Sequence, residues 1–170
     1  SRSIKNAEEI KDVFSSWVMG VIPLAAIGFF EFGKHWLLYS QLENTLGATW
    51  GYGNYLPRDG FVRALATFGQ PIVMGYVISI ALGLYLFVHS NITNGNHRKI
   101  LGGVLALGLI APLSRGPWVG AAVLIATYIA LGPNPIKNFG KAIALGAIGT
   151  TILLMTPYHD RVINLLPIIG

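Results

Sequence analysis

The sequence predicts an all-α integral membrane protein of about five transmembrane helices with a long outer-face loop, a fragment of a larger helical bundle. Three observations predict it. First, only 11% of the 170 residues are charged, 53% are apolar, and the mean hydropathy is +0.58. A soluble domain carries about 25% charged residues because water must solvate its surface. Second, charge-free runs cover residues 13–30, 64–88, 100–114, 116–136 and 142–158. A bilayer core roughly 30 Å thick is crossed by about 20 helical residues at 1.5 Å each. Third, the two-residue alternation of membrane barrel strands is absent, and helices satisfy their own backbone groups in lipid.

The elements follow in order. Residues 1–12 mix both charge signs and run into a full span without a small-residue cleavage pattern, unlike a secretion signal. The chain opens on Ser1 rather than Met and reads as an excised internal piece, residues 1–170 forming a single membrane domain. Spans are expected at 14–30, 68–88, 99–113, 117–132 and 139–156. The loop over residues 31–67 carries Trp36, Tyr39, Trp50, Tyr52 and Tyr55, amphipathic rings suited to headgroup depth. Gly47, Gly51, Gly53 and Pro57 punctuate it and argue against a continuous helix.

The stretch around Ser114-Arg115-Gly116-Pro117 forces a choice. As one helix, residues 99–131 would run about 50 Å, well past the hydrocarbon. It would also hold Arg115 near the bilayer centre, at a cost of at least ~2.5–3.5 kcal/mol. Two spans, broken at the Gly-Pro pair, put Arg115 in a turn near one face.

That break sorts the charges. Residues 1–12, 91–98 and 134–141 fall on one side, with Lys5, Lys11, Lys137 and Lys141 and with Lys99 at the adjoining start of a span, five of the six lysines. The positive-inside rule makes that side cytoplasmic. Lys34 and four of the six arginines, Arg58, Arg63, Arg115 and Arg161, fall on the other. The net charge of +5 therefore belongs to membrane loops, and no nucleic-acid partner is expected. With no cysteine, disulfides, thiol catalysis and Cys-ligated metals are excluded.

Arginine presents five donors in a planar fork that matches phosphate and keeps its charge. Four on one face suggest a site for an anionic headgroup, with Ser114 beside Arg115 as a further polar contact. The plainer reading is that Arg58, Arg63 and Arg161 snorkel to lipid phosphates or pair with Glu31, Glu43 or Asp160. Glu31 ends the first span as an arginine partner or, less simply, a base. His35 and His159 lie on the same side as candidate proton carriers, although an interfacial His is more often structural. No metal-ligand spacing or nucleotide-binding glycine motif occurs, and the span glycines suit close helix packing.

Ser114-Arg115-Gly116-Pro117-Trp118 resembles the Ser-Arg-Gly-x-Trp motif of the O-antigen ligase and O-antigen polymerase superfamily. Arg58-Asp59-Gly60-Phe61-Val62-Arg63-Ala64, leading to Gln70-Pro71 and Gly75, is similar to the preceding arginine-bearing loop and helix of that family, and Phe30-Glu31 matches a span end. The resemblance implies a multi-pass enzyme of the bacterial inner membrane. Such enzymes transfer a glycan from undecaprenyl pyrophosphate to an acceptor hydroxyl, on lipid A–core or a second lipid-linked repeat, without metal, nucleotide sugar or other cofactor. It makes residues 31–67 a periplasmic loop and 157–170 the start of a further periplasmic region. It makes Arg115 and Arg63 the catalytic arginines that stabilise the pyrophosphate, with Arg58, Arg161, Ser114 and Glu31 as substrate-binding residues. The chain is shorter than such enzymes and lacks the large later loop with its histidine, so the fragment alone is expected to be inactive.

Two other classes compete with it. A transporter or flippase for an anionic lipid-linked or small solute would spread basic residues through the membrane depth or contain inverted repeats with broken helices, whereas here one segment is broken and the arginines keep to one face. A purely structural membrane subunit would tolerate lysine or glutamine at each arginine. The topology has a direct test in this cysteine-free chain: cysteines placed at Asp59 and at Lys137 should react with an impermeant maleimide from opposite sides of the membrane. Labelling of both from one side would overturn the arrangement.

Overall fold

The computed structural model describes residues 7–47, 57–58 and 60–154. Six α-helices occur among these residues: α1 (Ala7–Lys34), α2 (Leu38–Leu46), α3 (Pro71–Val88), α4 (Gly95–Ile110), α5 (Arg115–Leu131) and α6 (Pro135–Leu154). Two short strands, β1 (Pro57–Arg58) and β2 (Phe61–Val62), pair antiparallel with Pro57 opposite Val62 and Arg58 opposite Phe61. Gly60 supplies the left-handed φ of 83° in their connection, a conformation that a residue without Cβ takes freely. The chain divides into two compact units, Ser1–Ala121 and Ala122–Gly170.

In the first unit α1, α3 and α4 pack on one another pairwise. Helix α1 buries Val18, Val21, Ala25, Gly28 and Glu31, whose spacing of three or four places them on one stripe. Glu8 and Glu9 open it and Lys34 closes it, each charge complementing the helix dipole. Helix α3 begins on Pro71, where the missing N–H is no loss, and sends Met74, Ile78, Ala81 and Tyr85 inward. Helix α4 is capped by Asn94, whose side chain accepts from the amides of Asn96 and His97 at 2.9 and 3.4 Å.

Glycine allows two close approaches between helices. A Cβ on Gly108 would lie 2.6 Å from the Ala25 Cβ and 3.0 Å from its carbonyl oxygen, so α1 and α4 meet backbone to backbone. On α3, a Cβ on Gly75 would lie 2.6 Å from the Pro117 ring. The start of α5 is held there too, since Ser79 Oγ donates to the Pro117 carbonyl at 2.8 Å.

Among the described residues, two helical stretches are long and apolar enough to cross a membrane: Ala7–Lys34, and Pro71–Asn91, which includes a 3-10 turn after α3. The sequence expectation of five such spans exceeds this. Helix α4 has 16 residues and α5 has 17, and α6, with 20, carries Lys137 and Lys141 near its start. The first span is longer than expected, running to residues 7 and 34 instead of 14 and 30. The loop over 31–67 contains the short helix α2 and the strand pair.

The expected break between α4 and α5 is present, but its cause is different. Helix α4 stops at Ile110, and Gly116-Pro117 lie inside the first turn of α5, where proline is tolerated. The interruption is Ala111–Ser114, with Pro112 inside it and Leu113 turned to a φ of +46°.

In the second unit, Ile136 is 88% exposed and Ile143 and Leu145 each 70%. Burying one such side chain is worth about 1.5–3 kcal/mol, so apolar side chains exposed on more than one side of α6 suit contact with lipid or other protein. The packing has its own test. Gly108→Ala should lower stability by about 1–3 kcal/mol through overpacking against Ala25. Gly103→Ala, with nothing within 4 Å of its Cβ, should leave stability unchanged or raise it by about 0.5–1 kcal/mol. Thermal unfolding in detergent reads both, and equal midpoints would contradict the close approach.

Candidate functional site

The site forms where the segment after β2 meets the turn between α4 and α5, all within the first unit. Helix termini leave carbonyls without an intrahelical partner, and here each carbonyl from Leu109 to Pro112 receives a donor. The Trp118 indole Nε1 donates to the Leu109 oxygen at 2.8 Å. The Leu113 amide donates to Ile110, and the Ala64 amide to Ala111, at 3.0 and 3.1 Å. Arg63 Nε donates to Pro112 at 3.0 Å.

Arg63 also donates from Nη2 to Ser114 Oγ at 2.7 Å, and Ser114 Oγ in turn donates to the Pro112 carbonyl at 3.2 Å. The guanidinium therefore grips the turn through two of its donors, and its charge opposes the negative end of the α4 dipole. Arg63 is half-buried and Ser114 buried, conditions in which a hydrogen bond to a charged group contributes about 1.5–3 kcal/mol.

Arg115 follows Ser114 as the first residue of α5 and is half-buried. Its neighbours in the Ser-Arg-Gly-Pro-Trp run are each packed for a reason. A Cβ on Gly116 would meet the Tyr76 hydroxyl at 2.8 Å, Pro117 is buried on Gly75, and Trp118 bridges back to α4. The N-terminus of α5 adds a partial positive charge, about half an elementary charge for a helix. Arg63, Arg115 and this helix end thus adjoin one turn.

Glu31 is tied to the segment that follows Arg63. It has no exposed surface. Its Oε1 accepts from the Leu38 amide at 3.0 Å, and its Oε2 accepts from the amides of Leu65 and Ala66 at 3.0 and 2.9 Å. The expectation that Glu31 pairs with an arginine or touches substrate gives way to this arrangement: a carboxylate at the end of α1 occupied by main-chain donors. Ala66 takes a left-handed φ of 44° beside it.

Of the other residues singled out by sequence, His35 is exposed, takes a φ of 52°, and lies with its ring 5.8 Å from that of Phe61. The Arg58 side chain, Arg161 and His159 lie outside the described residues. Among the described residues no group of three or more His, Asp or Glu side chains is placed to hold a metal ion. Trp118, Tyr76 and the amides of Leu65 and Ala66 belong to the site and were not anticipated. The Trp118 position inside an arginine-bearing run was the one available signal, since main-chain donors leave no trace in side-chain identity.

The chain matches no family model, no curated protein and no solved structure. The clamp itself makes a prediction. Ser114→Ala should lower stability by about 1–3 kcal/mol. Arg63→Lys should cost more than Ser114→Ala, because one ammonium cannot reach both Pro112 and Ser114 in the fork geometry. Unfolding midpoints equal to wild type in both variants would remove the clamp from the account.

Proposed function

We propose that the chain is the arginine-bearing part of a multi-pass bacterial inner-membrane glycosyltransferase. In this reading it moves a glycan from undecaprenyl pyrophosphate to an acceptor hydroxyl on the periplasmic face, as O-antigen ligases and polymerases do. The five-span topology of the sequence reading goes with this proposal, with the loop over 31–67 and the α4–α5 turn on the periplasmic side. The observation that carries it is the 2.7 Å bond from Arg63 to Ser114. It unites two arginine-bearing segments that the resemblance names as one site although 51 residues separate them.

The chemistry asks chiefly for placed positive charge. As the bond from the sugar anomeric carbon to the pyrophosphate oxygen breaks, negative charge grows on the departing diphosphate. Guanidinium groups already held in a low-dielectric site stabilise that charge more than they stabilise the ground state. Arg115, at the positive end of α5, and Arg63, locked to the same turn, take these roles, with Ser114, Arg58 and Arg161 as further diphosphate contacts. Glycan donor, lipid or glycan acceptor and the surrounding membrane lipids are the partners.

In the full-length protein, Arg115→Lys should lower transfer about 10²–10³-fold, the usual effect of losing one oriented charge-stabilising donor. The measurement is glycan attached to acceptor in cells that depend on this protein. Near-wild-type glycan from the Lys variant would discard the assignment.

A further inference from the structure

We propose that Glu31 is a positioning residue which sets the Arg63 guanidinium on the α4–α5 turn, and that it influences bound ligand only through Arg63. The inference rests on the diphosphate reading of that site for its ligand, but its geometric core does not.

The argument begins with the chain around Arg63. The residue itself sits between β2 and a segment, Ala64 to Ala66, that is buried throughout. All three of its amides are bonded. The Ala64 amide donates to Ala111 of the turn, and the next two amides donate to one oxygen of Glu31. Because Ala66 has a left-handed φ, a conformation disfavoured for any residue with a Cβ, the segment needs an external hold to keep this path. The Glu31 carboxylate supplies it, from a helix that packs on α3 and α4.

The second oxygen of Glu31 fixes the Leu38 amide at the start of α2. One buried carboxylate therefore ties three pieces of backbone together: the end of α1, the start of α2 and the segment that follows Arg63. Direct contact with a ligand does not fit, because both oxygens are occupied and the side chain has no exposed surface. Glutamine at this position would keep one acceptor and turn an NH2 group toward a main-chain N–H, so one side of the link must open.

The test uses the full chain in lipid nanodiscs. Phenylglyoxal modification of Arg63, followed by peptide mass spectrometry, should run about tenfold faster in Glu31→Gln than in wild type, as loss of one buried, charge-assisted link implies. Modification of Arg98, at the far end of α4, should not change. An unchanged Arg63 rate overturns the proposal, as does an equal acceleration at Arg98, which would mark general loosening. Glu31→Asp keeps both acceptor oxygens and should fall between the two; if Glu31→Gln fails to fold, the same comparison of Arg63 with Arg98 in this variant decides.

Binding of inorganic pyrophosphate then asks whether Glu31 acts through Arg63. Glu31→Gln should weaken it about tenfold in the wild-type background and not at all in an Arg63→Ala background. Additive losses would overturn the proposal, because they would give Glu31 a route of its own. Absence of pyrophosphate binding by wild type would instead count against the proposed function, and the Arg63 reactivity would still decide the positioning role.

Discussion

A carboxylate with no exposed surface is expensive unless donors surround it, since desolvation penalises an unanswered charge by several kcal/mol. Glu31 meets that requirement with main-chain N–H groups alone, and much of the first unit's connectivity follows. Main-chain donors cannot swing away as lysine or arginine side chains do. Satisfying them therefore fixes the path of the backbone as well as the charge. The turn into α2 and the buried run through Ala64, Leu65 and Ala66 both take their course from this one residue.

The same economy governs the end of α4. Its last carbonyls are answered by an indole, two amides and a guanidinium drawn from different parts of the sequence. Each of those donors makes the turn a junction, so that α5 starts in a defined place over Gly75 and Ser79 of α3. The arginines at the turn follow from how the chain satisfies its own polar groups, with one structural in part and the next standing at a helix start.

Legibility in the sequence varied with the kind of interaction. Charge-free runs identify α1 and α3 because lipid-length apolar helices need little more than composition. Their ends were less visible: Glu8, Glu9 and Lys34 look like loop residues by charge, yet they suit helix termini. The break near Arg115 was foreseeable from length and insertion cost, but Gly116-Pro117 drew attention away from Pro112, since a proline in a first turn is as much a helix starter as a breaker. The residue types at the site were readable, Arg63, Ser114 and Arg115 among them. Who bonds to whom was not, because Pro112, Ala111, Leu65 and Ala66 take part through backbone atoms that every residue possesses. The same reason explains why Glu31 was expected to face a guanidinium.

The bond between Arg63 and Ser114 also bears on the order of events during synthesis. Residue 63 leaves the ribosome 51 residues ahead of its partner, an interval of roughly 3–10 s at ordinary elongation rates of about 5–20 residues per second. Through that time Glu31 and the segment after Arg63 are both synthesised, while the turn that Arg63 grips is not. The end of α4 comes next, and Ser114 and then Trp118 supply the last parts of the junction.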